Sequence, residues 1–193
     1  MGAKVLATSK PLVLTEGQTD VVYINTALKL LGYTDLLEQL EIDEVGQPGE
    51  KGSKGSGYKN LDNAYKFLEN NPKYSSRRVL LLYDCDTPTE KKNVDLLSTF
   101  RIPKNPHNTQ VPKGFENLLP VELFEERFYQ KKKEKTDYGG ENIISHFCKQ
   151  KFCQWICKER GKREDFLQFE ALVVPALKEF LSAQTGKLDD ETT

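Results

Sequence analysis

A chain of 193 residues, 37% apolar and 30% charged, has room for one ordinary globular domain with a small appendage. Its net charge of −1 supplies no overall basic field, so a nucleic-acid surface would have to be local, as at Lys131–Lys133. No apolar run reaches the roughly 18 residues of a membrane span, and MGAKVLATSK lacks the apolar stretch of a signal peptide.

Leu6 stands where a myristoylation signal needs Ser or Thr. Four cysteines at irregular spacing, Cys85, Cys148, Cys153 and Cys157, do not read as a disulfide framework, so a reducing cytoplasm is expected.

The first element is an apolar run, Leu12–Leu14, typical of a strand buried on both faces. A turn at Glu16-Gly17-Gln18 follows. Val21, Ile24, Leu28 and Leu31 then recur on one helical face. Thr19 or Asp20 can open that helix and Gly32 can close it.

A second strand is expected within Leu40–Gly46, then the glycine-rich stretch QPGEKGSKGSG, read as a mobile loop. Gly-Lys-Ser cannot be placed there at the phosphate-loop offset, which excludes an ATP-binding reading of it. Leu61, Ala64, Phe67 and Leu68 predict a helix ending near Asn70-Asn71-Pro72.

Val79–Tyr83 is the third strand, and Val94–Ile102 contains a fourth. Alternation of strand and helix implies right-handed crossovers and a mainly parallel sheet of about four strands with helices on both faces. Beyond Pro120 the stretches VELFEERFY, ENIISHFCKQKFCQWICKER and EDFLQFEALVVPALKEFLSA all read as helical, with QKKKEKTDYGG as a charged linker. The organisation expected is therefore an α/β domain over residues 1–120 and a helical C-terminal extension over 121–193, frayed at Lys187–Thr193.

The third strand runs into Asp84-Cys85-Asp86. Alternation puts both acids on one side, with Cα atoms roughly 6.6 Å apart. At an effective dielectric of about 20 they would repel by about 2.5 kcal/mol, which a hard divalent cation removes. The plain alternative is a loop start, aided by Thr87 and Pro88, in which each acid accepts backbone amides.

In a doubly wound sheet, ligands gather at the carboxyl ends of the strands, and Glu16 lies just past the end of the first strand. Asp20 adds a further acid on the first helical turn, where compensating the helix dipole is its ordinary role. Gly17 would let backbone approach a ligand closely.

Glu16-Gly17-Gln18-Thr19-Asp20 after one apolar strand, Asp84-Cys85-Asp86 after another, and Lys113-Gly114-Phe115-Glu116-Asn117 downstream together resemble a TOPRIM domain. TOPRIM is the metal-binding fold of topoisomerases, primases and several nucleases, and the pattern is most similar to the nuclease domain of the OLD (overcoming lysogenization defect) family. The resemblance covers about residues 11–120. It implies a TOPRIM-like, Rossmann-like fold.

In the roles it implies, Glu16 is metal ligand or general acid-base group, and Asp84 and Asp86 hold Mg²⁺ or Mn²⁺. Asp20 and Glu116 complete a second metal site, and Lys113 contacts phosphate. It also implies a metal-dependent DNA endonuclease, with RNA left open, working beside a separate ABC-type ATPase in defence against phage or plasmids.

Two departures stand out. Thr87-Pro88 replaces the usual glycine-bearing turn after Asp-x-Asp, and no ATPase domain precedes the motif in this chain. Two cations about 3.5–4 Å apart would stabilise both oxygens of a phosphodiester displacement without a protein nucleophile. The rival readings are a catalytically silent TOPRIM module that binds a partner, and a nucleotide-sugar transferase, whose Asp-x-Asp also holds a cation.

Lys51, Lys54 and Lys59 in and after the glycine-rich loop, with Lys91 and Lys92, are the candidate contacts to nucleic-acid backbone; Arg77 and Arg78 belong to the same group of cations. His146, Cys148, Cys153 and Cys157 fall within an apolar helical pattern that favours buried thiols over zinc. His107 reads as a loop histidine rather than a proton shuttle. The oligomeric state is left open.

Overall fold

The computed structural model describes residues 10–47, 49, 54–89, 91–135 and 141–183. The leader-peptide readings, Lys51 and most of its loop, Gly139-Gly140 and the tail from Lys187 lie outside the described residues.

Strand β1 (Leu12–Thr15) pairs in parallel with β2 (Glu41–Glu44) on one side and β3 (Val79–Tyr83) on the other. Beyond β3 lies β5 (Leu97–Arg101), also parallel, and the edge strand β4 (Asn93–Val94) runs antiparallel to it. The sheet order is therefore β2-β1-β3-β5-β4, five strands rather than about four. The chain leaves β1 toward β2 and returns to the opposite side of β1 as β3. The order thus reverses between β1 and β3, which opens a crevice at their carboxyl ends.

The layers follow from the alternation of side chains along β3, all five of whose residues are buried. Leu80 and Leu82 face a large core built with α1 (Gln18–Leu30), α4 (Lys149–Gln154) and α5 (Leu167–Ser182). Val79, Leu81 and Tyr83 face the other way, onto Leu61 and Tyr65 of α3 (Tyr58–Asn70). A short α2 (Thr34–Gln39), which no periodic pattern announced, joins α1 to β2.

Phe152, Phe169, Val173 and Leu177 share one core with Val13, Ile24 and Leu82. Residues on both sides of position 120 therefore bury a common interior.

The region after Pro120 departs from the all-helical expectation. Val121–Phe128 forms two tight 3₁₀ turns. The expected linker and the first part of the expected helix pair as an antiparallel hairpin, β6 (Tyr129–Lys135) with β7 (Glu141–Phe147). The apolar residues that suggested a helix divide between surroundings: Ile143 is 66% exposed, whereas Phe147 packs on Phe124 and Phe152. Only from Lys149 does the expected helix begin, and it widens into a π-type turn at Trp155–Arg160. α5 forms as the sequence predicts and carries Pro175 inside it.

Candidate functional site

Glu16 follows the last residue of β1, and Asp84 follows the last residue of β3; the two strands are neighbours, with Thr15 opposite Leu82. Parallel pairing alone thus brings the two acids to one rim. Glu16 Oε1 accepts hydrogen bonds from the Asp84 backbone N (3.0 Å) and Thr87 Oγ1 (2.8 Å). Asp84 Oδ1 is buried and receives no hydrogen bond.

Asp20, on the first turn of α1, is almost fully buried, and its Oδ2 accepts the Gly17 N–H at 2.9 Å. It both closes the helix start and joins the acids, so the dipole and ligand readings do not exclude each other.

The fifth acid comes from the loop after β5. Glu116 is fully buried in a 3₁₀ turn at Phe115–Leu118. Its Oε1 accepts a long bond from Tyr23 Oη at 3.4 Å. Its Oε2 lies 3.1 Å from Lys149 Nζ, an ion pair too poorly aligned to be a hydrogen bond. Asp86 is exposed, and its Oδ1 accepts the Gly114 N–H at 3.1 Å. Strand β3 ends at Tyr83, so Asp84-Cys85-Asp86 lies in a turn beyond it and does not alternate as expected. Cys85 points toward the carbonyls of Pro112 and Gly114 and shares the core of Leu80 and Leu82, the face that alternation would have given to Asp84.

Gly114 is where backbone approaches most closely. Its φ is +72°, and a Cβ there would stand 2.4 Å from Glu116 Oε2, 2.6 Å from Lys149 Nζ and 3.6 Å from Asp84 Oδ2. Gly17, assigned that role from sequence, has extended backbone at φ −165° and nothing nearer its missing Cβ than 3.9 Å. Gly114→Ala is therefore expected to cost about 2 kcal/mol in backbone strain and displaced carboxylate. In a thermal melt this would read as a Tm lower by roughly 4–8 °C. Gly17→Ala is expected to melt close to the unaltered protein.

The electrostatics follow from this convergence. The Asp84 carboxyl is pushed up to about 8 by burial first and then by Glu16, with Glu116 and Asp86 adding to the effect and Lys149 opposing it. Asp20 is raised well above the carboxylate range by burial, then by Asp84 and Glu116. Burial works against the charge of Lys149, but Glu116, Asp84 and Asp20 outweigh it and hold its proton more tightly than usual. The rim is therefore a concentration of carboxyl groups that resist ionising together, countered among the described residues by the Lys149 ammonium.

All five sequence-predicted acids, Glu16, Asp20, Asp84, Asp86 and Glu116, thus gather at this rim. Lys113 is exposed, one residue before Gly114, and the cation that reaches the acids is Lys149. Sequence reasoning missed Lys149 and Tyr23, and read Thr87 only as an aid to the loop start, not as a donor to Glu16. Lys149 is one of 28 basic residues, and no spacing marks it.

Of the proposed backbone-contacting lysines, Lys54 joins a short bridge to Gln47 and Lys59 is exposed on α3. Lys91 is tied to Glu179 at 2.6 Å, and Lys92 lies over the ring of Tyr65. Arg77 pairs with Glu41, and Arg78 lies over Phe180. His107 sits in an exposed turn. Cys153 is buried, and all four cysteines are free thiols.

Among the described residues, no group of three or more His, Cys, Asp or Glu side chains is arranged to hold a metal ion. The reason is visible in the bonds above: Glu16, Asp20 and Asp86 are turned onto protein donors, and Glu116 onto Lys149. The chemistry of the set nonetheless fits a hard divalent cation, since every donor is a carboxylate oxygen and the buried Oδ1 of Asp84 is an unspent acceptor. A cation bound there would compete with Lys149 for Glu116.

No helix among the described residues is long and apolar enough to cross a membrane. In comparisons with protein-family models, curated proteins and solved structures, the chain finds no match.

Proposed function

We propose that this protein is a metal-dependent phosphodiesterase of the TOPRIM type, a nuclease that cuts DNA and is not barred from RNA, working with a separate ABC-type ATPase in defence against phage or plasmids. The observation that carries this reading is the buried, unpartnered Oδ1 of Asp84 amid Glu16, Asp20 and Glu116 at the crevice where the strand order reverses. A fold keeps so costly a cluster of like charges when a ligand of opposite charge repays it.

Glu16, Asp20, Asp84, Asp86 and Glu116 would hold one or two Mg²⁺ or Mn²⁺ ions, which supply Lewis-acid stabilisation of the charge that develops on a phosphodiester. The chain's own part is to place these carboxylates. Thr87 and the Asp84 amide orient Glu16, and the Gly114 amide orients Asp86. Lys149, 45% exposed, offers an ammonium at the mouth for a phosphate oxygen, and Lys113 stands exposed beside Gly114.

The Lys149–Glu116 pair also supports a second reading, a silent module, because it offsets part of the charge without any metal.

The discriminating experiment is plasmid nicking. Supercoiled DNA incubated with the protein and Mg²⁺ or Mn²⁺ is expected to relax or linearise, to be protected by a chelator, and to be cut at least 100-fold more slowly by Glu16→Gln, the scale of loss when one stabilising group is removed. Absence of cleavage with either metal, also in the presence of a candidate ATPase, favours the silent module.

A further inference from the structure

The β6–β7 ribbon is a two-stranded sheet that shares no strand with the main one. Each strand has seven residues, in register from Tyr129 opposite Phe147 to Lys135 opposite Glu141. At the rise of a strand it is about 20 Å long. A lone two-stranded ribbon is marginally stable in water, so its base has to be held.

The base is packed: Phe147 lies 5.5 Å from Phe124, 5.3 Å from Phe152 and 5.4 Å from Tyr129, ring to ring. The Cys148 amide donates to the Phe128 carbonyl at 2.8 Å. The next residue is Lys149, paired with Glu116. The ribbon therefore rises from the rim of the acid cluster.

Its composition is unlike that of the whole chain. β6 reads YQKKKEK, and the two strands together carry four lysines against two glutamates, in a protein of net charge −1. Lys131 and Lys133 are exposed. Across from the lysines stand Ile143, opposite Lys133 and 66% exposed, and Ile144, opposite Lys132 and 43% exposed. Adjacent strand residues point to opposite faces, so each face of the ribbon presents an isoleucine.

We infer that this ribbon is a duplex-DNA-binding arm that lies in the major groove beside the acid cluster. The groove of B-form DNA is wide enough for a two-stranded β-ribbon and displays thymine methyl groups that apolar side chains touch. Lys131 and Lys133 meet phosphates along its walls, and Ile143, on the same face as these two lysines, meets base edges. The inference rests on the nuclease reading for what the neighbouring acids do, and names how the substrate is held there.

The test measures binding of a 30-base-pair duplex (about three helical turns) by fluorescence anisotropy without divalent metal, over a range of salt. Lys131→Glu/Lys133→Glu is expected to weaken binding at least about 10-fold and to lower the salt slope by about 2, one unit for each phosphate no longer neutralised. Lys29→Glu/Lys178→Glu makes the same charge change at the far end of α1 and is expected to stay within about threefold of the unaltered protein. Thermal melts confirm that both variants fold.

Equal losses in the two variants would overturn the arm, as would no loss in the first. So would equal competition by duplex RNA, whose deep, narrow major groove shuts a ribbon out. Hydrolysis of bis(p-nitrophenyl) phosphate by the unaltered protein with Mn²⁺ tests the acid cluster separately. Its failure beside ribbon-dependent DNA binding would remove the nuclease reading and leave the arm standing.

Discussion

Asp84→Asn is expected to remove divalent-dependent cleavage, by roughly 10²–10³-fold or more, and at the same time to make the metal-free protein more stable near pH 8. Both effects have one origin. The carboxyl is pushed up to about 8 by burial, by Glu16 and by the other acids, so between the ordinary carboxylate range and pH 8 the fold holds a proton that the unfolded chain has released. The folded state binds more protons, and stability therefore falls as pH rises through that window, by at most about 1.4 kcal/mol per pH unit for one group.

Below pH 4 the group is neutral in both states and costs nothing. Above pH 8 the fold carries the repulsion in full. Asparagine keeps the shape and has no proton to lose, so thermal melts between pH 5 and 8 in chelator should show a flatter slope for the variant. The slope should not vanish, because Asp20 is raised as well.

Added Mg²⁺ should raise the Tm of the unaltered protein most at pH 8 and leave the variant nearly unmoved, as expected of a ligand that binds only the folded state. A variant that still nicks plasmid, or that keeps the full pH slope, would remove Asp84 from the centre of this site.

The second large effect is structural. Asn117 is fully buried. Its side-chain amide donates to the carbonyls of Asn108 and Val111, both at 3.0 Å, and its oxygen accepts the Asn105 N–H at 2.7 Å. Asn108 answers from the other side, donating to the carbonyls of Glu116, Asn117 and Leu119 and accepting the Val111 N–H. Two asparagines thus satisfy the backbone of the loop that carries Glu116, where no sheet or helix ladder does so.

Asn117→Ala takes the partner from two buried carbonyls and one partly buried N–H, at about 1 kcal/mol or more each. A loss of about 3–4 kcal/mol is expected, which for a chain of this size lowers Tm by roughly 10 °C. Asn108→Ala should cost a similar amount, and the double variant less than the sum, because each side chain alone holds the other's backbone. Additive losses from urea unfolding would mean that the two act separately.

The parts of the fold that were legible in the sequence are those where one physical pattern dominates. β1 and β3 are short apolar runs because both faces are covered, and α1 and α3 carry the helical period of a one-sided core. Glu16 and Asp84 were legible because parallel neighbours end at the same rim; the alternation expected of Asp84 and Cys85 failed because the strand stops at Tyr83 and the chain turns.

The hairpin was not. Its apolar residues were read at helical spacing, whereas in the fold Phe147 serves the core and Ile143 and Ile144 face water. The glycine pair at Gly139-Gly140, a turn signal between two stretches of equal length, carried the better information. Lys149 was beyond reach for a different reason: its role arises from pairing with Glu116, far away along the chain, and nothing local encodes it. Gly17 and Gly114 were told apart only by backbone angles and by what a Cβ at each would meet.

The shared interior of the two halves has a consequence for how this protein can vary. A piece ending at position 120 would keep the five rim carboxylates and yet open the core of Val13, Leu80 and Leu82, part of whose cover comes from α4 and α5, and it would strip Glu116 of its counter-ion. The trailing stretch is thus no detachable accessory. Substitutions along α5 and mutations around the acidic rim will be inherited under one constraint, since the same wall that keeps water off the sheet also positions the ammonium that keeps the acids in balance.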